Sequence, residues 1–384
     1  MKILFSSTPG DGHLNPLLPL ARALIARGHQ VVFAASRQHA RKLSALGIPW
    51  LACGPDNLTL SQRLRPYLKD RPPSTSPDFL PFTFVHRYAV GDAPERVSDL
   101  RALVDTHHPD LLIFESFDLA TPIVSAATNI PAVHHSLGRT LPASCYLGSA
   151  TYLEPLWSDV GVEPPPMCGT YENNTYVDVC PTSIQGPGPP STTTVLRMSP
   201  ADPTPSGIPP PWLRQEEDRP NVYVTLGTVF NRVELFRMLL SALADDSWNI
   251  IVTVGDNNDP AELGPQPPNV HIERIVPQSV LLPHVSATVT HAGSGSMLAA
   301  LSHGVPLLML PQAADQYENA QACTAAGVAR TLTPDEATPE RIARELRMIL
   351  TESSYRRAAA AIRDEIDNMP SPDDVACVIA AART

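Results

Sequence analysis

Twice along this chain, short apolar runs of strand character alternate with segments whose apolar residues recur at helical spacing, and a proline-rich stretch separates the two series. No other feature constrains the fold as much, because such alternation is satisfied by a parallel sheet whose faces are covered by helices. In the first series, residues 2–6 (KILFS), 31–35 (VVFAA) and 111–115 (LLIFE) read as strands. Residues 16–27 carry Leu17, Leu18, Ala21, Leu24 and Ile25 on one helical stripe, with Gly28 where the helix should stop. Residues 37–46, closed by Gly47, and 119–128 read as further helices. Two stretches, 54–94 and 136–190, interrupt the pattern, and long insertions of this kind commonly carry recognition.

The clearest break is 185–219, where GPGPP, DPTPSG and PPPW flank a small apolar piece at 195–198. Beyond it, strands are expected at 222–226, 249–254, 270–275, 287–290 and 307–310. Helices are expected at 233–243, 294–302, 316–326, 339–351 and 355–368. The chain thus reads as α/β, with a Rossmann-like domain over 1–190, a linker over 191–219 and a second Rossmann-like domain over 220–368. A C-terminal helix over 369–384 is expected to pack back on the first domain.

Charge narrows the partners. Asp and Glu number 39 against 28 Lys and Arg, a net charge of −11, so nucleic acid, which needs clustered cations, is not expected. A local anion site stays open, since backbone N–H groups can form one. No apolar run approaches the roughly 20 residues of a membrane-spanning helix, and the N-terminal run stops at Phe5, too short for a signal peptide. The 6 cysteines are scattered without a CxxC pair, which points to reduced thiols in a cytoplasm and to no zinc site.

Three segments carry chemistry. His291-Ala-Gly293-Ser294-Gly295-Ser296 follows an expected strand and opens an expected helix, where exposed N–H groups and small residues can cradle an anion. A serine-capped glycine turn is the plainer alternative. The spacing is not GxGxxG and no Walker lysine follows, so nicotinamide and ATP sites lose support. Asp315-Gln316 closes a later strand, the edge where open α/β sheets bind ligands; the pair suits sugar hydroxyls, although alone it would more often cap a helix. The loop Thr8-Pro-Gly-Asp-Gly12-His13-Leu-Asn-Pro16 puts an imidazole at a strand-to-helix turn, suited to a general base or merely to capping.

In their order these segments closely resemble the donor box of the family 1 glycosyltransferases, from Val276-Pro277-Gln278 through His291-x-Gly-Ser-Gly-Ser296 to Asp315-Gln316-x-x-Asn319. The N-terminal loop is similar to that family's glycine-rich loop with its catalytic histidine. The likeness covers nearly the whole chain and is greatest to the bacterial enzymes that decorate antibiotics and other polyketide-like metabolites. It implies the GT-B fold, two Rossmann-like domains facing each other across a cleft, the first binding acceptor and the second donor. It implies His13 as base, assisted by a carboxylate at a strand end. Glu115 aligns there in place of the family's aspartate, and Asp118 is the alternative.

The donor residues implied are Gly227, Thr228, Ile275, Val276, Gln278, His291, Gly293, Ser294, Gly295, Ser296, Asp315 and Gln316. Ile275 stands where a base-stacking tryptophan is common, and Ala299 where users of ribose nucleotides carry a glutamate, which fits a deoxyribose donor such as a TDP-sugar. No convincing DxD motif appears, so neither metal nor cofactor is expected. For the acceptor, Gly12, Phe82, Tyr88, His135 and Tyr146 are the candidates. Of these, Phe82, Tyr88 and Tyr146 belong to a wider aromatic set in the two interruptions with Tyr67, Phe79, Phe84, Tyr152, Trp157 and Tyr171. The expected partners are a nucleotide sugar and a small aglycone, with no membrane insertion; a homodimer is compatible with this reading. The rival readings are a nucleotide-sugar epimerase of the same fold and a non-catalytic auxiliary protein of a glycosylation system.

Overall fold

The computed structural model describes residues 1–384 except 173, 189–192, 201–208, 214–218, 228–231, 244–247, 257 and 383–384. The chain divides into two compact units, one of residues 1–180, 186–199 and 369–384, the other of 181–185 and 200–368.

The first unit is built on seven parallel strands: β1 (Lys2–Ser7), β2 (Gln30–Ala35), β3 (Trp50–Ala52), β4 (Leu111–Glu115), β5 (Ala132–His135), β6 (Thr175–Asp178) and β7 (Thr194–Arg197). Their order is β3-β2-β1-β4-β5-β6-β7, so the sheet reverses direction of growth between β1 and β4, where Ile3 pairs with Leu111 and Ser6 with Phe114. Every residue of β1 after Lys2 and all of β4 are buried, as strands covered on both faces require. Leu4, Ala34, Leu112 and Phe114 share one core with Phe84, Leu100, Leu153 and Trp157. Phe5 and Phe33, the alternate residues, stack at 4.9 Å on the opposite face.

Five strands depart from the sequence reading: β5 (Ala132–His135), a strand Ala329–Thr331 in the second unit, and β3, β6 and β7. β3 is too short for a periodicity signal, and β6 lies inside the interruption 136–190. β7 lies inside the expected linker 191–219 and pairs with β6, so the boundary at 190 is corrected: the first sheet extends to Arg197. Residues 191–192, 201–208 and 214–218 of that linker lie outside the described residues. The interruption 54–94 is helical, with Asn57–Leu64, Phe79–Phe84 and a π-helical segment, Val85–Asp92, running into the helix Ala93–His107. The helix Pro372–Ala381 belongs to this first unit, packs on Leu18–Ala26, and is held by Arg27 donating to Asp373 at 2.7 Å.

The second unit repeats the plan with β8 (Asn221–Thr225), β9 (Asn249–Thr253), β10 (Val270–Glu273), β11 (Ala287–Thr290), β12 (Leu307–Met309) and β13 (Ala329–Thr331), all parallel, in the order β10-β9-β8-β11-β12-β13. Val222, Val224, Ile250, Val252, Val289 and Leu308 share a core with Phe236, Leu239, Ile342 and Leu346. Growth reverses here between β8 and β11. Open α/β sheets bind ligands beyond the carboxyl ends of their strands at such a reversal, which directs attention to the loops after β1 and β4 and after β8 and β11. Among the described residues no helix is long and apolar enough to cross a membrane.

Candidate active site

β1 delivers the chain into Thr8, Pro9 and Gly10, and the short helix Asp11–Leu14 then presents His13. Gly10 has φ 137°, and a Cβ there would fall 2.9 Å from His13 Cδ2, so only glycine lets the imidazole lie back against the loop. The Gly10 N–H donates to His39 Nε2 at 3.1 Å. Burial pushes His39 down to about 4, which keeps that nitrogen a neutral acceptor near pH 7. On its other side, His39 Nδ1 is 3.8 Å from Asp11, and Lys42 donates to the same carboxylate at 2.9 Å.

His13 Nδ1 lies 3.0 Å from Thr8 Oγ1 and 3.3 Å from Glu115 Oε1, at the end of β4. Thr8 also donates its hydroxyl to Glu115 at 2.5 Å and its N–H to the same oxygen at 3.1 Å, while Phe117 N–H reaches the other oxygen at 2.7 Å. Burial would raise the fully buried Glu115 carboxyl, but His13 and these donors hold it below its usual range. An ionised Glu115 draws the imidazole proton to Nδ1 and leaves the Nε2 lone pair available for acid–base chemistry. The Phe117 ring meets His13 edge-on at 4.9 Å, and Tyr88 donates its hydroxyl to Nε2 at 3.3 Å.

Asp118, the alternative partner, is spent elsewhere. Its Oδ1 accepts from Ala120 and Thr121 N–H at 2.9 and 3.0 Å and its Oδ2 from the Thr121 hydroxyl at 2.7 Å, bonds that start the helix Thr121–Thr128. Two acceptor candidates are corrected to core residues. Tyr146 is fully buried, donating to the Ser116 carbonyl at 3.3 Å, and His135 is fully buried, its Nδ1–H donating to the Ser136 carbonyl at 2.6 Å. Neither lines a surface: Tyr146 packs in the core with Phe84 and Tyr171, and His135 lies on β5. Of the wider aromatic set, Phe79, Phe84, Trp157 and Tyr171 are also buried, whereas Tyr67 and Phe82 are half-buried and Tyr152 is exposed. Gly12 is exposed, and a Cβ there would meet nothing within 4 Å. Sequence reading missed the bridging hydroxyl of Thr8, whose place right after β1 was a usable signal, and the support from His39, which carried none.

In the second unit, β11 ends at Thr290, His291 follows, Ala292 takes φ 68°, and Gly293 precedes the helix Ser294–Ser302. A Cβ on Gly227 or Gly293 would lie 2.6 or 2.5 Å from the His291 ring, so two glycines make room for one imidazole. Burial pushes His291 down to about 4, against Asp315 and the Thr225 carbonyl, so it is a neutral hydrogen-bond donor near pH 7. Ser294 donates to Asp315 Oδ2 at 2.6 Å, and Asn319 reaches that oxygen at 3.0 Å and the Ala292 carbonyl at 3.0 Å. Asp315 Oδ1 is bonded by neither.

Gln316 differs from its expected pairing with Asp315. It is buried, and its side-chain oxygen accepts from Gln312 and Ala313 N–H at 2.8 and 3.0 Å, which braces the loop before it. Ser296 donates to the Gly293 carbonyl at 3.1 Å, and Gly295 is exposed. Ile275 is 57% exposed, Val276 half-buried, and Gln278 opens the helix Gln278–Leu281. Thr228 lies outside the described residues. Among the described residues no three His, Cys, Asp or Glu side chains gather as metal ligands.

Residues 81–227 match the family described as erythromycin biosynthesis protein CIII-like, N-terminal domain, and residues 237–381 match its C-terminal domain. The L-demethylnoviosyl transferase of Streptomyces niveus is 32% identical over 99% of this chain and 98% of its own length. Among solved structures, a spinosyn rhamnosyltransferase, SpnG, superposes with a TM-score of 0.84 at 23% identity over 100% of both chains. The glycosyltransferase VinC in complex with dTDP superposes with a TM-score of 0.78 at 26% identity over 100% of this chain and 99% of that one.

Proposed function

The chain belongs to the bacterial natural-product type of family 1 glycosyltransferase, with the GT-B fold, and from that premise we propose that it moves a deoxysugar from a TDP-sugar to a hydroxyl of a polyketide-like or other secondary-metabolite aglycone in antibiotic biosynthesis. The observation that carries the reading is His13 Nδ1 held between Thr8 and Glu115, which leaves Nε2 as the base. The acceptor O–H gives its proton to Nε2, its oxygen bonds the anomeric carbon from the face opposite the diphosphate, and TDP leaves with the electron pair, inverting that carbon. Glu115 stabilises the imidazolium, worth roughly 10²–10⁴-fold with the base itself.

The donor side rests on the loop after β11. The N-terminus of the helix Ser294–Ser302 and the neutral His291 N–H offer uncharged donors for developing phosphate charge. Asp315 Oδ1 offers an acceptor for sugar hydroxyls, and the exposed Ile275 an apolar surface for the base. The dTDP bound by VinC supports the choice of nucleotide, as does Ala299, which supplies no acid for a ribose 2′-hydroxyl. The reading asks for no metal and no cofactor and places the reaction in the cytoplasm. The test is a screen of nucleotide sugars against polycyclic and macrocyclic aglycones, with calorimetry of TDP and UDP. Glycoside formation and tighter TDP are expected. UDP binding clearly tighter would overturn the nucleotide, and a new nucleotide sugar made without acceptor would favour an epimerase.

A further inference from the structure

Resting on the reading of His13 as base, we propose that Tyr88 is a positioning residue that holds the base nitrogen away from water until an acceptor hydroxyl takes its place. With Nδ1 committed to Thr8 and Glu115, the Nε2 lone pair points to the Tyr88 hydroxyl, 3.3 Å away. The ring is tightly held: 7% exposed, 5.7 Å from Phe84, 4.9 Å from Phe117, with the Arg87 guanidinium 5.7 Å over its face. Burial pushes the phenol up to about 12, so it stays protonated and donates rather than competing as a base. It projects from the π-helical segment Val85–Asp92, a rare geometry that re-aims side chains and recurs at functional sites.

The side reaction this contact opposes is defined by the same chemistry. A water reaching Nε2 would give that nitrogen its proton while its oxygen bonds the anomeric carbon. The bond from that carbon to the diphosphate oxygen would break, TDP would leave with the electron pair, and free sugar would result. An acceptor hydroxyl follows the same exchange to a glycoside. The two routes differ in what displaces the phenol from Nε2. An aglycone brings binding energy from the rest of its surface to drive that displacement, and water brings none.

Tyr88→Phe keeps the ring and removes the hydroxyl. In the full-length enzyme given TDP-sugar and acceptor, the ratio of hydrolysis to transfer should rise about fivefold, the factor one neutral hydrogen bond carries. TDP affinity by calorimetry should be unchanged, which controls for folding. Independently, ¹⁵N NMR of histidine-labelled enzyme should show the His13 Nε2 signal move toward that of a nitrogen without a hydrogen-bond donor. A ratio no higher than wild type, or an unmoved Nε2 signal, overturns the proposal. If the variant does not fold, the wild-type spectrum decides, since a free Nε2 lone pair there overturns it equally. Wild-type enzyme that binds TDP yet makes no glycoside from any TDP-sugar removes the reading of His13, and this proposal with it. Glycoside from the wild type with an unaltered ratio in Tyr88→Phe removes the role of Tyr88 alone.

Discussion

The loops after β1 and β4 in the first unit and those after β8 and β11 in the second occupy the same topological place and are built in opposite ways. In the first, Thr8, His13, Tyr88 and Glu115 meet although the first and last stand 107 residues apart. In the second, Ser294, Asp315 and Asn319 lie within one stretch, the first and last 25 residues apart. The imidazoles differ accordingly. His13 faces an ionised carboxylate, whereas His291 sits among glycines, neutral and donating. A general base needs a charged partner to receive the imidazolium, and that partner must come from another strand. An anion cradle needs only helix-terminal geometry, which a contiguous segment can build.

The largest test of this contrast is His13→Ala. Turnover should fall by roughly 10²–10⁴-fold with TDP affinity intact, measured by steady-state kinetics beside calorimetry; retained turnover on a hydroxyl acceptor would remove the acid–base half of the comparison.

Acid should separate the units next. The first buries His39, His134 and His135, pushed down to about 4, 3 and 4, while the second has His291 at about 4. All lie below the 6.5 of a free imidazole, so the unfolded chain binds more protons and stability falls as pH falls from 6.5 toward 4. Glu115, held below 4.5, adds a loss at lower pH still. Hydrogen exchange from pH 7 to about 4.5 should therefore show the first unit opening before the second, and a drop in Tm on the order of 10 °C. The opposite order would mean these histidines are not the groups that take up protons.

A smaller effect distinguishes the two carboxylates. Glu115→Gln should lower turnover roughly ten- to a hundredfold, as loss of a charged hydrogen-bond acceptor implies. Asp118→Asn, whose side-chain oxygen can still accept from Ala120 and Thr121 N–H, should change it little; the reverse ranking would move the role to Asp118. Finest of all is Gly293→Ala. A methyl there meets the His291 ring at 2.5 Å, so TDP affinity should weaken on the order of tenfold as the ring leaves its rotamer. Unaltered affinity would show that His291 does not contribute to nucleotide binding.

The second loop was nearly all legible in the sequence because its contacts are local, from His291 to Asn319. Even there Gln316 misled, since an amide beside a carboxylate looks the same whether it faces a sugar or, as here, braces residues 312–313. The first loop was legible in His13, but Glu115 and Asp118 stayed alternatives until the structure put Glu115 Oε1 3.3 Å from His13 and tied Asp118 to Ala120 and Thr121. Tyr146 and His135 misled in the other direction. Aromatic and imidazole side chains look available in a sequence until packing buries them, here at 0% exposure.

By itself the sequence determined what local rules reach: the strand–helix alternation, the two parallel sheets, the glycine-rich turn after β11, and the histidine after β1. Each depends on periodicity, capping or a positive φ, which are properties of neighbours along the chain. Only the tertiary structure decided that β6 and β7 extend the first sheet, that Thr8 bridges Glu115 to His13, and that Tyr88 covers Nε2. Those depend on parallel crossovers bringing residues up to 107 apart within hydrogen-bond reach. No spacing in the chain encodes that distance, because it is set by how the inserted helices pack on the sheet.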